Sequence, residues 1–567
     1  MRKTKVVLAK VLTAAMVISS FAGVQGITSE AAAKPKLSKK SVSITVGKTK
    51  KITIKNAKKY KVSWKMKSKK VASFKKSGKY AVKVTAKKAG KTTLTATIKK
   101  GKKTKKLVCK ITVKKNSPKV TKTPVNTPTT SPSNVPKTTE VPIVKPTATA
   151  TAEPQDTTPA MKEIFKGVID NVGTCLTYNQ TWNNRKEMQD ASTMEFVDKH
   201  FNSFTLENEM KPDNMLNKKT TISVADAKAK GYVISDDYKE STVPELTLET
   251  IDGVLAIAKQ HNIRMRAHTL MWHQQTPTWF FKKNYDDNEA VVDEATMNAR
   301  LEFFVRTVMR YTMQKEKELT GEVGSIVYAW DVLNEYIHRS NAAAATTWVS
   351  VYGDMGLKPT YVKAAFEYAY DELKKENVQD KVTLFYNDYD TYFSVDDELA
   401  LISYINEGEE AKICGGIGMQ SHVDIKRPTL EEYGNALKAF INAGLEVQIT
   451  ELDITINFDT DDTDGRTPSY AYKNEKETDA DQAAFTKDFI KQIVDIQKNR
   501  DKTISPKGIT GITVWGISDQ TSWRGSCKPL FFTRKSVRVK DETTGKYKTV
   551  YSYVPKKSYE AMIEALK

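Results

Sequence analysis

Two glutamates, Glu335 and Glu451, each stand at the end of a short apolar run, in Trp330-Asp331-Val332-Leu333-Asn334-Glu335 and in Ile449-Thr450-Glu451-Leu452-Asp453. Such a pair can divide acid–base work. One carboxylic acid protonates a departing oxygen while a second carboxylate faces the electrophilic carbon. About 5 Å apart, the second attacks directly, and water later displaces the covalent adduct with the first acting as base. The acid must hold a proton near neutral pH while its partner stays ionised. A single glutamate in this setting is more often a helix cap or ion-pair partner, so the surrounding residues decide the reading.

Those surroundings repeat a theme. Apolar runs end in Glu207-Asn208-Glu209-Met210-Lys211-Pro212, in His268-Thr269-Leu270-Met271-Trp272-His273-Gln274-Gln275, in Asn387-Asp388 and in Gln420-Ser421-His422. Trp515 ends another, with Trp523 eight residues further on. Polar and aromatic groups at the ends of successive strands require a fold that gathers strand ends at one mouth.

The elements supply it. Between 161 and 567, β-type runs at 165–170, 201–206, 263–270, 325–331, 382–387, 415–420, 446–451 and 511–516 alternate with helical patterns such as Tyr361 to Glu376 and Asp481 to Lys498. Eight strands alternating with helices predict an α/β fold, a (β/α)8 TIM barrel, whose catalytic groups sit at the C-terminal strand ends. Period two puts Asp453 on the strand face of Glu451. No cofactor and no metal is expected: His268 and His273, five residues apart on a strand, face opposite sides. Trp330 reads as core, and Asn387 and Asp388 as bracing.

These strings, with Gly416-Ile417-Gly418-Met419-Gln420-Ser421-His422 and Val514-Trp515-Gly516-Ile517-Ser518-Asp519, resemble glycoside hydrolase family 10 across nearly all of 161–567. The resemblance implies an endo-1,4-β-xylanase that cuts internal bonds of xylan and xylo-oligosaccharides with retention. It assigns the acid/base to Glu335 and the nucleophile to Glu451. It implies that Asn334 bonds the sugar 2-hydroxyl and that His422, with Asp453, supports the nucleophile. Glu207, Asn208, Lys211, His268 and Gln275 match the positions that grip the glycone sugar, Trp272 and Gln420 join the substrate-binding set, and Trp515 and Trp523 match a platform and lid. Flat aromatic faces suit the apolar faces of sugar rings. Tyr389-Asp390 departs from the family motif. Competing readings are a cellulase or β-1,3-xylanase on the same barrel, and a non-catalytic glycan-binding adhesin; the adhesin would be expected to lack one of the two glutamates.

Upstream of the barrel the chain changes character. Met1-Arg2-Lys3-Thr4-Lys5, an apolar run from Val6 to Val24 and Ala31-Ala32-Ala33 have the order of a secretory signal peptide, expected over 1–33. Residues 34–115 alternate apolar and polar side chains, as in Val42, Ile44 and Val46 or Val62, Trp64 and Met66, and predict a β-sandwich of roughly seven strands. The run from Val71 to Leu94 resembles bacterial Ig-like domains of group 2. A Pro/Thr/Ser-rich linker is expected over 116–160, because it lacks the apolar surface to offset ordering entropy. The net charge of +23 belongs to one segment: 34–115 holds 31 Lys and no acidic residue, leaving 59 basic against 67 acidic residues elsewhere. Those lysines predict either a solvated spacer or attraction to an anionic cell-wall polymer or acidic glycan. Nucleic acid is not expected as a partner of an exported protein, nor is a membrane span, and a secreted monomer held non-covalently at the surface is the expectation. Cys109, Cys175, Cys414 and Cys527 form no metal or redox spacing and read as buried thiols. The segments 218–243 and 458–478 look longer than a lean barrel requires.

Overall fold

A computed structural model describes residues 35–39, 41–46, 48–55, 57, 60–100, 103–114, 158–180, 185–339, 347–457, 477–540 and 545–567. The expected signal peptide at 1–33, nearly all of the expected linker at 116–160 and most of the 458–478 segment lie outside the described residues. The chain divides into two compact units, Met1–Ala148 and Thr149–Lys567.

The first unit is an all-β sandwich of two four-stranded sheets. Eight strands are described where roughly seven were expected. Its core is built by the inward member of each alternating pair: Val42, Ile44, Ile52, Met66, Val82, Val84, Leu94, Ile111 and Val113. Lysines occupy outward positions, as in the strand Thr49–Lys55, where Lys50, Lys51 and Lys55 are exposed while Ile52 and Ile54 are buried.

The second unit is a closed barrel of eight parallel strands, β1 Asn171–Leu176, β2 Ser203–Leu206, β3 Arg264–Trp272, β4 Val327–Asn334, β5 Thr383–Asp388, β6 Gly416–Met419, β7 Glu446–Thr455 and β8 Ile509–Val514. Each pairs with the next, and β8 returns to β1. Seven strands fall where the sequence puts them. The first does not: 165–170 forms the turn beneath the barrel, with Gly167 at φ +78°, and the strand is Asn171–Leu176. Phe165 and Ile169 are buried there as core residues, so apolar content misdirected the assignment. The true strand is small because its neighbours are close. A Cβ at Gly173 would stand 2.7 Å from Ser203 Oγ and 2.9 Å from Thr513 Oγ1.

The barrel interior is polar below the mouth. Buried Arg266 pairs with Asp331, donates to Gln448 Oε1 at 2.9 Å and lies over the Phe385 ring. His268 Nδ1 meets the other Asp331 oxygen at 2.9 Å. Burial of ions this deep is tolerated only when each is paired and hydrogen-bonded. Gly418 makes room for the stack, since a Cβ there would be 2.3 Å from Asn387 Oδ1 and 2.7 Å from Arg266 Nη2. The 218–243 segment is ordered: Thr221–Ser223 pairs with Thr242–Pro244, and Glu240 clamps buried Arg300 at 2.5 Å. All four cysteines are buried and unpaired. No helix among the described residues is long and apolar enough to cross a membrane.

Candidate active site

The ends of β2 to β8 converge on one pocket floor. Register shifts in β3, β4 and β7 occur between His268 and Met271, Asp331 and Leu333, and Ile449 and Leu452. Such irregularities re-aim side chains near a barrel rim. Glu335 follows β4 in the left-handed region, φ +58°, a conformation that costs a non-glycine residue about 1–3 kcal/mol. Its N–H is held by the Asn387 carbonyl at 2.9 Å. Ser421, after β6, has φ +61°.

Both glutamates are buried, with Glu335 7% and Glu451 5% exposed. A row of amides joins them. Gln420 Nε2 donates to Glu335 Oε1 at 3.0 Å and to Asn334 Oδ1 at 3.2 Å. Asn387 Nδ2 donates to that same Asn334 oxygen and to Glu451 Oε1, each at 2.9 Å. Thr450 Oγ1 donates to Asn387 Oδ1 at 2.6 Å, which fixes the amide's orientation.

The electrostatics of the two carboxyls diverge. Burial pushes Glu335 up to about 7, with the charges of Asp388 and Glu451 adding to it and the Gln420 and Trp272 hydrogen bonds opposing it. Trp272 Nε1 donates to Glu335 Oε2 at 2.7 Å. Burial also pushes Glu451 upward, yet hydrogen bonding to His422 and the charges of His268, His422 and Lys211 bring it down to about 2. His422 Nε2 stands 3.3 Å from Glu451 Oε2 and its Nδ1 is 2.9 Å from Asp453 Oδ2. Although burial lowers His422, the Asp453 carboxylate dominates and raises it to about 9. The result is an imidazolium wedged between two carboxylates at neutral pH.

The remaining predicted residues lie on the loops after β2, β3 and β8, each with its own contacts. Lys211 Nζ lies over Trp272 at 4.8 Å and Trp515 at 5.9 Å from the ring centroids. Trp523 is 38% exposed and its Nε1 donates to Asp453 Oδ2 at 3.0 Å. Glu207 accepts from Arg185 Nη1 at 2.6 Å and Gln180 Nε2 at 2.9 Å. Asn208, half-buried, takes an Asn214 side-chain donor on its carbonyl. Gln275, half-buried, accepts the Asp213 N–H on its carbonyl at 2.8 Å. Trp330 is core.

Several contacts escaped sequence reasoning. Gln274 Nε2 donates to Glu335 Oε2 at 3.2 Å. Arg524 lies over Trp523 at 4.4 Å and 3.4 Å from Asp453 Oδ1. Asp388 takes His338 Nδ1 at 2.8 Å and the Tyr386 hydroxyl, and the Tyr389 ring stacks on His338 at 3.9 Å. Thr450 could have been found as the immediate neighbour of Glu451; the arginines and His338 carry no local signal.

The chain matches the model of glycosyl hydrolase family 10 over residues 160–551. It is 41% identical over 352 residues to endo-1,4-beta-xylanase A of Butyrivibrio fibrisolvens, covering 62% of this chain and 76% of that protein. With endo-1,4-beta-xylanase B of the same organism it shares 32% identity over 344 residues, 59% and 46% of the two chains. Among solved structures, the Clostridium thermocellum N-terminal endo-1,4-beta-D-xylanase 10B, complexed with xylohexaose, matches with TM-score 0.51 at 27% identity, covering 72% of this chain and 68% of that one. A bacterial Ig-like domain-containing GH10 xylanase from termite gut matches in fold, with TM-score 0.50 at 19% identity over 93% of this chain and 98% of that one.

Proposed function

The chain belongs to glycosyl hydrolase family 10, and from that premise we propose that it is a secreted, retaining endo-1,4-β-xylanase with Glu335 as acid/base and Glu451 as nucleophile. The observation that carries this reading is the opposed proton affinity of two buried glutamates linked by one row of amides. At neutral pH the first is poised to give a proton and the second to attack. In the first step the Glu451 oxygen bonds the anomeric carbon, the glycosidic C–O bond breaks, and the Glu335 proton goes to the departing oxygen. In the second, Glu335 takes a proton from water, the hydroxide oxygen replaces Glu451 at the same carbon, and configuration is retained.

The other roles follow the family pattern, and the contacts among these residues support several of them. Asn334, held by Asn387 and Gln420, bonds the 2-hydroxyl of the reacting sugar. His422, braced by Asp453, keeps Glu451 ionised and oriented. Glu207, Asn208, Lys211, His268 and Gln275 grip the glycone, over the Trp515 platform and under the Trp523 lid. Trp272 and Gln420 hold Glu335 while lining the substrate path. Crowding by Lys211, Gln275 and Trp515 favours xylose over a sugar bearing a hydroxymethyl group.

Product release from β-1,4-xylan and from carboxymethylcellulose, by wild type, Glu335→Gln and Glu451→Gln, tests the reading. Xylo-oligosaccharides from xylan, little release from cellulose and loss of activity in each variant support it. Preference for cellulose overturns the substrate, and active variants overturn the pair.

The export leader at 1–33 supports secretion, and outward lysines on the 34–115 sandwich support retention on anionic wall polymers. Binding of that unit to purified walls at low and high salt checks the second point; retention indifferent to salt, or none, removes it.

A further inference from the structure

The chain from Phe532–Lys540 to Tyr547–Pro555 forms a long antiparallel hairpin that the mechanism above does not use. Its register sets Arg534 opposite Tyr553, Ser536 opposite Tyr551, Arg538 opposite Thr549 and Lys540 opposite Tyr547. Opposed residues in an antiparallel pair share a face, so one side is arginine and tyrosine, and Val537, Val539 and Val550 lie on the other. The root is fixed against the helix Ala191–His200 and the loop after β8. The Tyr553 ring packs on Phe196 at 4.3 Å, the Tyr551 N–H donates to Ser192 Oγ at 3.0 Å, and the Arg534 N–H donates to Gln520 Oε1 at 2.7 Å. Gln520 belongs to the loop that carries Trp523.

Along this face two guanidinium groups lie over rings, Arg534 over Tyr551 at 4.5 Å and Arg538 over Tyr547 at 4.9 Å. Four residues of strand separate them, about 13 Å. A guanidinium laid on an aromatic ring keeps its N–H edges free and pre-set for a planar carboxylate. Among the described residues, neither arginine has an acidic side chain within ion-pair distance. Tyr547 is 61% exposed, and a flat ring in water suits a sugar face. The charge is local: 532–555 holds six basic and two acidic residues, within a 161–567 region of 51 basic and 63 acidic. A region of net charge −12 disfavours a polyanion, and the hairpin, at +4, is the exception. Lysines that deter edge pairing are already present on the other face as Lys535 and Lys548.

We propose that this face is a second substrate-binding strip, which takes xylan bearing uronic-acid side groups through Arg534 and Arg538, with Tyr547 against a sugar ring. The proposal rests on the xylanase reading for the polymer backbone. It is tested with full-length wild type, Arg534→Gln/Arg538→Gln and Arg534→Lys/Arg538→Lys on uronic-acid-bearing xylan and on unsubstituted xylohexaose. At low salt the Gln pair should raise KM on the acidic xylan about 5–10-fold with kcat unchanged, a loss of the size charge-assisted hydrogen bonds give. The Lys pair should recover only part, and the gap to wild type should close at roughly 0.5 M salt, as screening sets in. Xylohexaose kinetics should not move. Equal KM on acidic xylan for all three proteins, or an equal loss on xylohexaose, overturns the strip. Retention of the Glu335→Gln chain on immobilised uronic-acid-bearing xylan should weaken when the two arginines are also replaced by Gln, with retention on unsubstituted xylan unchanged; the 34–115 unit is common to both chains, so equal retention of the two on the acidic xylan overturns the strip without turnover. If wild type cleaves neither substrate, the xylanase reading fails and this binding arm still decides the proposal.

Discussion

The ends of β4 and β7 carry the same side chain at similar depth, and the protein makes opposite acids of them. Around Glu335 the largest charge effect comes from the Asp388 carboxylate, and its hydrogen bonds come from the neutral donors Gln420, Trp272 and Gln274. Around Glu451 stand His422, His268 and Lys211. Burial acts upward on both, so burial alone cannot assign the roles; the sign of the neighbouring charge does. The imidazolium of His422 is itself secured from behind by Asp453, which Trp523 and Arg524 also hold.

The largest effect is expected at Glu451. Replacing it with Gln should lower kcat on xylan by about 10⁵–10⁶, the scale of losing a nucleophile. Glu335→Gln should cost about 10²–10⁴ on substrates with a poor leaving group, and much less on an activated aryl glycoside, whose departing oxygen needs no proton. Initial-rate kinetics on both substrate types separate the two losses.

Smaller changes move the pH profile. Activity should fall as pH rises past about 7, where Glu335 loses its proton. Asp388→Asn removes a negative charge facing Glu335 and should carry that alkaline limb to lower pH. His422→Gln removes the positive partner of Glu451 and should carry the acid limb upward from its low value. An unshifted limb in either variant denies the neighbour its part.

The smallest effect is on stability, and its sign differs between the two sites. Glu335 has a raised folded pKa, so its stability contribution is full below the unfolded value of about 4.3 and declines as pH rises to about 7. Glu335→Gln should therefore gain on wild type, by about 1–3 kcal/mol, in unfolding measured at pH 8 relative to pH 4. Glu451 has a lowered pKa, so its contribution is present above about 4.3 and is lost as pH falls towards about 2. Glu451→Gln should lose stability at pH 8 relative to pH 3.

Much of this was legible in the residues. Seven barrel strands announce themselves because each couples an apolar run to a polar tail, and the pair Glu335 and Glu451 is found from those tails. The first strand was not, because Asn171–Leu176 is shaped by crowding at Gly173 while the apolar signal of 165–170 belongs to the turn below. The site's second layer was legible only in part. Asp453 follows from period two and Asn387 from its strand end, but Arg185 and Arg524 reach the pocket from loops with no periodicity. Gln274 and Gln275 are adjacent and alike, and only the path of the chain past β3 determines which one touches Glu335.

Side-chain carboxyl ¹³C titration of glutamate-labelled wild type, Glu335→Gln and Glu451→Gln tests the division of labour most directly. The account predicts one carboxyl titrating near 7 that is missing from Glu335→Gln, and one that stays ionised down to about 2 and is missing from Glu451→Gln. Two carboxyls titrating together near the ordinary value of about 4.3, or the two assignments exchanged, would contradict it.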